Sequence, residues 1–367
     1  MRRFWKVAAI VAAATVGDGV FALPFVFYQA GWLLCLLYLA VLGAMVAVAH
    51  VVYFRTLEAS GEKERLLGLA RQYFGPGGFW VGFTAIVLGL LLALVAYLIL
   101  GSQFIQLGFP GIPPGIAVAA FWAFIAGIVL LGDARVVELE MVGILFTALV
   151  IVLIFVTTLP HLGFGGAPAV NMASAFLPFG AVLFSVAGWT SVEPAYESSR
   201  GKRWKFASWL PLVAGTLLAV LLYLLFVSGI LGSGAQITPD TISGLGGWEP
   251  WKRGVIAALG LFAVATSSMP ISREIRNALE KDLRWNRVGS RALIIFFPLA
   301  CVMAGLNDFL VVVTLVGGVF LSVQYLLIVA IGRRALAPPP AQKFLLDAIA
   351  LVFIAAAAYQ IIGFIVK

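Results

Sequence analysis

The sequence predicts an all-α, polytopic membrane protein of eleven transmembrane helices, the first and sixth of them broken. Three observations carry that expectation. The 367 residues are 62% hydrophobic and only 11% charged, with a mean hydropathy of +1.07; no soluble domain of this length hides so much apolar surface. Apolar runs of about 20 residues recur from end to end. Within two of those runs, five spans apart, stand glycine, proline and carboxylate residues that a lipid-facing helix tolerates poorly.

Taken in order, the spans fall at roughly 4–28, 31–54, 78–104, 115–132, 137–159, 174–198, 208–232, 251–276, 290–306, 309–332 and 342–366. If the N-terminus is cytoplasmic, all but three of the 24 basic residues lie on that side; only Lys252, Arg253 and Lys367 oppose them. The positive-inside rule then predicts a multi-pass protein of the cytoplasmic membrane, with the N-terminus inside and the C-terminus outside. The net charge of +8 is therefore a topology signal rather than a nucleic-acid footprint. The opening Met1-Arg2-Arg3-Phe4-Trp5-Lys6 resembles a secretory signal with a twin arginine. Hydrophobicity running on past Pro24, with ten further spans, argues instead for a retained first helix. Cys35 and Cys301 have no metal spacing, and His50 and His161 are far apart, so no resident cofactor is expected.

Between spans, Arg55 to Gly78 alternates charge and ends in Leu69-Ala70-Arg71-Gln72-Tyr73-Phe74-Gly75-Pro76, which predicts a short interfacial helix stopped by Gly-Pro. Gly232 to Pro250, rich in Gly, Thr, Ser and Pro, reads as a loose connection in preference to a lid. Ala337-Pro338-Pro339-Pro340 is a stiff linker ahead of the last span. The expected organisation is a ten-helix core over 1–336, with repeats at about 4–159 and 174–332, and an eleventh helix over 341–367.

The first break is Gly17-Asp18-Gly19-Val20-Phe21-Ala22-Leu23-Pro24; the second is Phe184-Ser185-Val186-Ala187-Gly188-Trp189-Thr190-Ser191-Val192-Glu193-Pro194. Paired interruptions in two halves point to a binding site at the membrane midplane, and an offset of five spans makes the halves inverted repeats. Each break exposes N–H groups and a positive dipole end on one half-helix and carbonyls on the other. The first suit a carboxylate and the second an ammonium group or cation, so the pair suits an α-amino acid.

Of the 16 acidic residues, Asp18 and Glu193 lie well inside spans. Intramembrane carboxylates are costly and by default functional. Each has a bland reading too: Asp18 as a helix N-cap, Glu193 as an internally hydrogen-bonded residue. An ionised Asp18 would repel a substrate carboxylate, so it is either protonated or beside a cation or amine. In span eight, Thr266-Ser267-Ser268 either bond back to their own helix or ligate sodium together with the Ala263 carbonyl; the set Val264, Ser267, Ser268 is the neighbouring alternative. Trp189, Phe184 and Tyr97 are candidate gate or lining aromatics.

Gly17-Asp18-Gly19-Val20-Phe21-Ala22-Leu23-Pro24 with Gly31-Trp32 resembles the span-one signature of the amino acid/auxin permease family, within the amino acid–polyamine–organocation superfamily. Leu69 to Gly75, Val192-Glu193-Pro194-Ala195-Tyr196-Glu197 and Met269-Pro270-Ile271-Ser272-Arg273 resemble its second-loop, span-six and span-eight segments. The resemblance implies a LeuT-type fold: a five-plus-five inverted repeat with one extra helix, working by alternating access. It implies substrate contacts at Gly17, Asp18, Gly19 and Val20 and at Phe184, Ser185, Ala187, Gly188 and Trp189. It also implies a sodium site from Ala13 and Val16 with Ala263, Thr266 and Ser267. Asp18 and Glu193 depart from the small and apolar residues usual at their positions, which raises proton coupling or an amine-bearing substrate.

The expected function is a secondary active amino acid transporter driven by sodium or protons, with lipid as its surroundings and no signal for an oligomeric state. The rivals are a polyamine or organic-amine carrier and a non-transporting amino-acid sensor. An enzyme is not expected, since no nucleophile–base pair stands at either membrane face.

Overall fold

A computed structural model describes residues 2–60, 65–130, 136–159, 163–199 and 207–366. Each of the eleven apolar stretches is helical, and no strand occurs among the described residues. This is what a bilayer demands, because only a helix or a closed barrel satisfies its backbone internally. Six helices are long and apolar enough to cross a membrane by length and composition: 32–60, 66–108, 210–232, 250–282, 309–335 and 340–365.

The first stretch is interrupted as the sequence predicts. Helix α1 (Arg2–Thr15) ends, a 3₁₀ turn runs over Asp18–Ala22, and α2 (Leu23–Ala30) continues. Next come α3 (Trp32–Ser60) and α4 (Leu66–Gly108). Gly75 (φ 67°, ψ −160°) kinks α4 directly before Pro76, separating the amphipathic segment from the buried span. α5 (Pro114–Leu130) and α6 (Val136–Thr158) follow.

The sixth stretch breaks in the same manner, with α7 (Leu177–Val186), a 3₁₀ turn at Trp189–Ser191 and α8 (Val192–Ser199). Then come α9 (Leu210–Gly232), α10 (Pro250–Arg276), α11 (Arg287–Met303), α12 (Phe309–Leu315), α13 (Ser322–Ala335) and α14 (Pro340–Val366). A π-helical turn, Val316–Leu321, joins α12 to α13, and another, Asn277–Asp282, extends α10. Such turns often mark functional positions.

α4 and α10 pack along one another, while α1 packs on α8 and α9. α14 lies against α13 with most of its surface outward: Phe344, Leu351 and Ile365 are exposed. Lys63, Arg135, Arg200, Lys202, Arg203, Lys205, His161 and Lys367 lie outside the described residues, as do the side chains of Arg2, Arg3 and Ala13. The end of the bundle carrying α1's start is called the basic end below.

One expectation is corrected. The 232–250 connection is not loose: it folds into a 3₁₀ turn (Ser243–Gly247) and buries Asp240, Thr241, Ile242 and Leu245. Asp240 accepts hydrogen bonds from the Ser243 amide (2.6 Å), the Ser243 hydroxyl (2.9 Å) and Gln103 Nε2 (2.9 Å). Burial pushes the Asp240 carboxyl above the usual carboxylate range, and the Ser243 and Thr238 donors pull it partly back. Thr241 Oγ1 donates to the Phe21 carbonyl at 2.5 Å, tying this connection to the 3₁₀ turn of the first break. Gly and Ser here serve a tight folded turn, which composition does not distinguish from slack.

Candidate functional site

The two breaks meet in the middle of the bundle. A Cβ on Gly19 would lie 2.7 Å from the Phe184 ring and 2.8 Å from the Ser185 Cα; one on Gly188 would lie 2.3 Å from Thr15 Oγ1. Only glycine permits that approach from either side. Tyr223, on α9, places its hydroxyl against two carbonyl ends at once: Thr15 of the first break and, at 2.6 Å, Ser185 of the second. One hydroxyl thus bridges a carbonyl of each interruption, the Thr15 carbonyl also accepting from the Gly17 amide at 2.8 Å. Tyr223→Phe is expected to cost about 1–3 kcal/mol, read as a lowered unfolding midpoint with helix content retained.

A cavity of about 90 Å³ lies between the breaks and is walled by α4, α10 and the π-turn of span ten. Of the predicted substrate residues, Gly17, Asp18, Gly19, Phe184, Ala187, Gly188 and Trp189 line it. Val20 and Ser185 do not: Val20 is fully buried, and the Ser185 hydroxyl donates to the Ala181 carbonyl at 2.8 Å. Of the predicted sodium set, Thr266 and Ser267 reach the wall, Val16 and Ala263 are buried and do not line it, and the side chain of Ala13 lies outside the described residues. The Thr266 proton goes to the Phe262 and Ala263 carbonyls, each at 2.9 Å, leaving its lone pairs as the free function.

Asp18 is wholly buried, and neither carboxylate oxygen has a hydrogen-bond partner among the described residues; Thr15 Oγ1 is in the same condition. The capping reading of Asp18 therefore fails, for Gly17 is the N-cap of this turn and no side chain caps it. A buried carboxylate without partners is costly enough to call for a proton or a cation.

Around Trp189 the polar groups are, by contrast, saturated. Its indole N–H donates to Gln324 Oε1 (2.6 Å), whose Nε2 donates to the Ala85 carbonyl (2.8 Å). The Gly188 amide donates to the Tyr325 hydroxyl (3.0 Å), which lies 3.2 Å from His50 Nε2. Gln324 was missed in the sequence; its signal is a carboxamide in the middle of an apolar span. Gly89 and Ala93, one turn apart on α4, also line the cavity and carry no signal in isolation.

Glu193 is not on the cavity wall. One turn beyond Thr190 towards the basic end, it accepts from the Tyr53 hydroxyl at 2.5 Å and pairs with Arg65 Nε at 3.3 Å. Arg65 Nη1 lies 3.7 Å from Glu274 Oε2, too long for a hydrogen bond but close enough for attraction. Glu274 is likewise about one turn beyond the wall residue Ile271. This cluster therefore stands about one turn beyond the cavity wall, on the side of the basic end. Glu274 escaped the sequence reading because a charge at a span's end looks like ordinary solvation.

Comparisons agree with this architecture. The sequence profile of the Tryptophan/tyrosine permease family matches residues 1–247. Curated protein sequences yield no match. Among solved structures, the chain is similar to a manganese transporter of Eremococcus coleocola in complex with an aromatic bis-isothiourea substituted compound. The TM-score is 0.58 at 13% identity, covering 98% of this chain and 94% of that one. Two mutants of that transporter match at 0.58 and 12%, with the same coverage. The likeness is one of fold. With two thirds of its length matched by the family profile, this multi-pass membrane transporter belongs to the tryptophan/tyrosine permease family.

Proposed function

We propose that the protein imports aromatic amino acids by cation-coupled alternating access. The carrying observation is the unpartnered carboxylate of Asp18 in a cavity where two helix interruptions meet. The substrate ammonium faces Asp18 and Thr15. Its carboxylate faces the 3₁₀ turn ahead of α8 at Thr190, where the dipole is positive, since the Gly188 amide is already taken by Tyr325. The side chain lies along Leu90 and Ala93, beside Phe184 and Ile271, while Gly89 lets Phe320 and Gln324 pack close against α4.

The family description supports tryptophan or tyrosine as the cargo. In this reading the chain has the eleven-span, five-plus-five LeuT-type arrangement of the wider superfamily, with a core over 1–336, a peripheral last helix, a cytoplasmic N-terminus and an extracytoplasmic C-terminus. The matched interruptions in α1/α2 and α7/α8 support it. Asp18 serves coupling, with Thr266 and Ser267 the sodium alternative. The Arg65–Glu193 pair serves as the cytoplasmic closure.

Asp18 also favours a second reading, an organic-amine carrier, because an amine without a carboxylate meets no repulsion there. The test is thermal unfolding of the purified protein with each of the twenty amino acids and with spermidine, at two pH values, with and without sodium. Tryptophan and tyrosine are expected to raise the midpoint. A shift with spermidine alone selects the amine carrier. Binding with no uptake into proteoliposomes under either gradient selects a sensor.

A further inference from the structure

At the basic end, away from the cavity, α10 and its π-turn present Arg273, Arg276, Glu280 and Lys281 on one stripe, spaced as neighbours on a helix face. Facing them, α11 presents Arg287 and Arg291 one turn apart. These six side chains, with Asn277, enclose a cavity of about 290 Å³. The positive-inside rule accounts for basic residues at this level but not for their convergence on one concavity. Arg276 has an interaction of its own, and Glu280 offsets one charge; Arg273, Lys281, Arg287 and Arg291 still outnumber it and repel one another unless an anion sits among them.

The single carboxylate is already engaged, since Glu280 Oε1 accepts from the Ser290 hydroxyl at 2.5 Å. Arg291 Nε is buried with no hydrogen-bond partner among the described residues. Glu138 and Glu140 open α6, which packs along α10; their side chains lie outside the described residues. Flanking Arg287 in sequence, Trp285 and Val288 are 48% and 78% exposed. An exposed indole beside an exposed valine suits the boundary between headgroups and acyl chains.

We propose that this pocket binds a phosphate-bearing anion, foremost the headgroup of an anionic phospholipid. Guanidinium groups match phosphate oxygens in pairs, and basic pockets between helices at this depth fit lipid headgroups. The site is independent of the transport reading above, since none of its residues lines the central cavity.

The experiment uses the full chain in detergent and follows lipid retention by native mass spectrometry, together with the unfolding midpoint. The probes are phosphatidylglycerol, phosphatidylcholine and inorganic phosphate. Phosphatidylglycerol is expected to be retained and to raise the midpoint; phosphatidylcholine is not. Arg287→Gln with Arg291→Gln should weaken retention about thirty-fold, at about five-fold per cationic side chain. Arg55→Gln with Lys343→Gln, which removes equal charge from the same end outside the pocket, should not. Arg287 is exposed, so Arg287→Gln alone keeps the test if the double variant misfolds. Inorganic phosphate stabilising as strongly, and only with the arginines present, would support the pocket with a soluble ligand as its source. Equal weakening by both double variants, or no preference for phosphatidylglycerol, overturns the proposal.

Discussion

Asp18→Asn is expected to abolish gradient-driven accumulation of tryptophan in proteoliposomes, a loss of about a hundred-fold or more. The carboxamide keeps the shape of the side chain in a fully buried position but removes the charge. Losing one member of a desolvated charge pair typically costs about 2–5 kcal/mol, which is ample for such a loss. Folding should survive, because the Asp18 side chain makes no hydrogen bond among the described residues that the variant would break. Removing an unpartnered buried charge should if anything raise the unfolding midpoint. Two assays separate the roles. If Asp18 moves the coupling proton, the variant still exchanges labelled tryptophan for unlabelled with no gradient. If Asp18 only holds the ammonium group, exchange and binding fail together. Full accumulation by Asp18→Asn would remove the residue from the mechanism.

Breaking the Arg65–Glu193 pair is expected to shift the protein towards the state open at the cytoplasmic face. Glu193 is nearly buried while Arg65 is about a third exposed, so the solvent-screened effect is about 1–2 kcal/mol rather than the 3–5 of a fully buried pair. That bias corresponds to about a five- to thirty-fold change in the ratio of the two states. The reporter is Thr190→Cys, one turn above Glu193 on the cavity wall, with Cys35→Ala and Cys301→Ser removing the native thiols. A membrane-impermeant maleimide applied from the cytoplasmic side should label it faster by that factor when Glu193→Gln is added. In a double-mutant cycle, Arg65→Gln should add to Glu193→Gln only what its longer contact with Glu274 contributes, since the two share the Arg65–Glu193 contact. Unchanged labelling would mean that the cluster only staples the fold.

Much of the architecture was legible in one dimension because the bilayer leaves the chain few options. Apolar runs must become helices, and glycines, a carboxylate and a proline inside them must mark interruptions. Both breaks fall where Gly17-Asp18-Gly19 and Gly188 predict them, and the Gly75–Pro76 stop is a kink within α4. Seven of nine predicted substrate contacts line the cavity for the same reason: a broken segment has to enclose something polar. The connection over 233–249 was misread, because small polar residues favour tight packed turns as much as loose ones.

The class, the helical stretches, the two interruptions and the placement of Asp18 inside a span follow from the sequence, since each reflects what lipid does to an unsatisfied polar group. Tertiary structure alone decided who meets whom. It separated Asp18, unpartnered in the cavity, from Glu193, held by Tyr53 and Arg65 one turn away. It brought Gln324 to Trp189, Tyr223 to both breaks, and five basic residues to one pocket. These contacts span more than a hundred residues of chain or lie between facing helices. Their geometry is set by the packing of glycine-lined interfaces, which hydropathy and spacing along one strand of sequence do not encode.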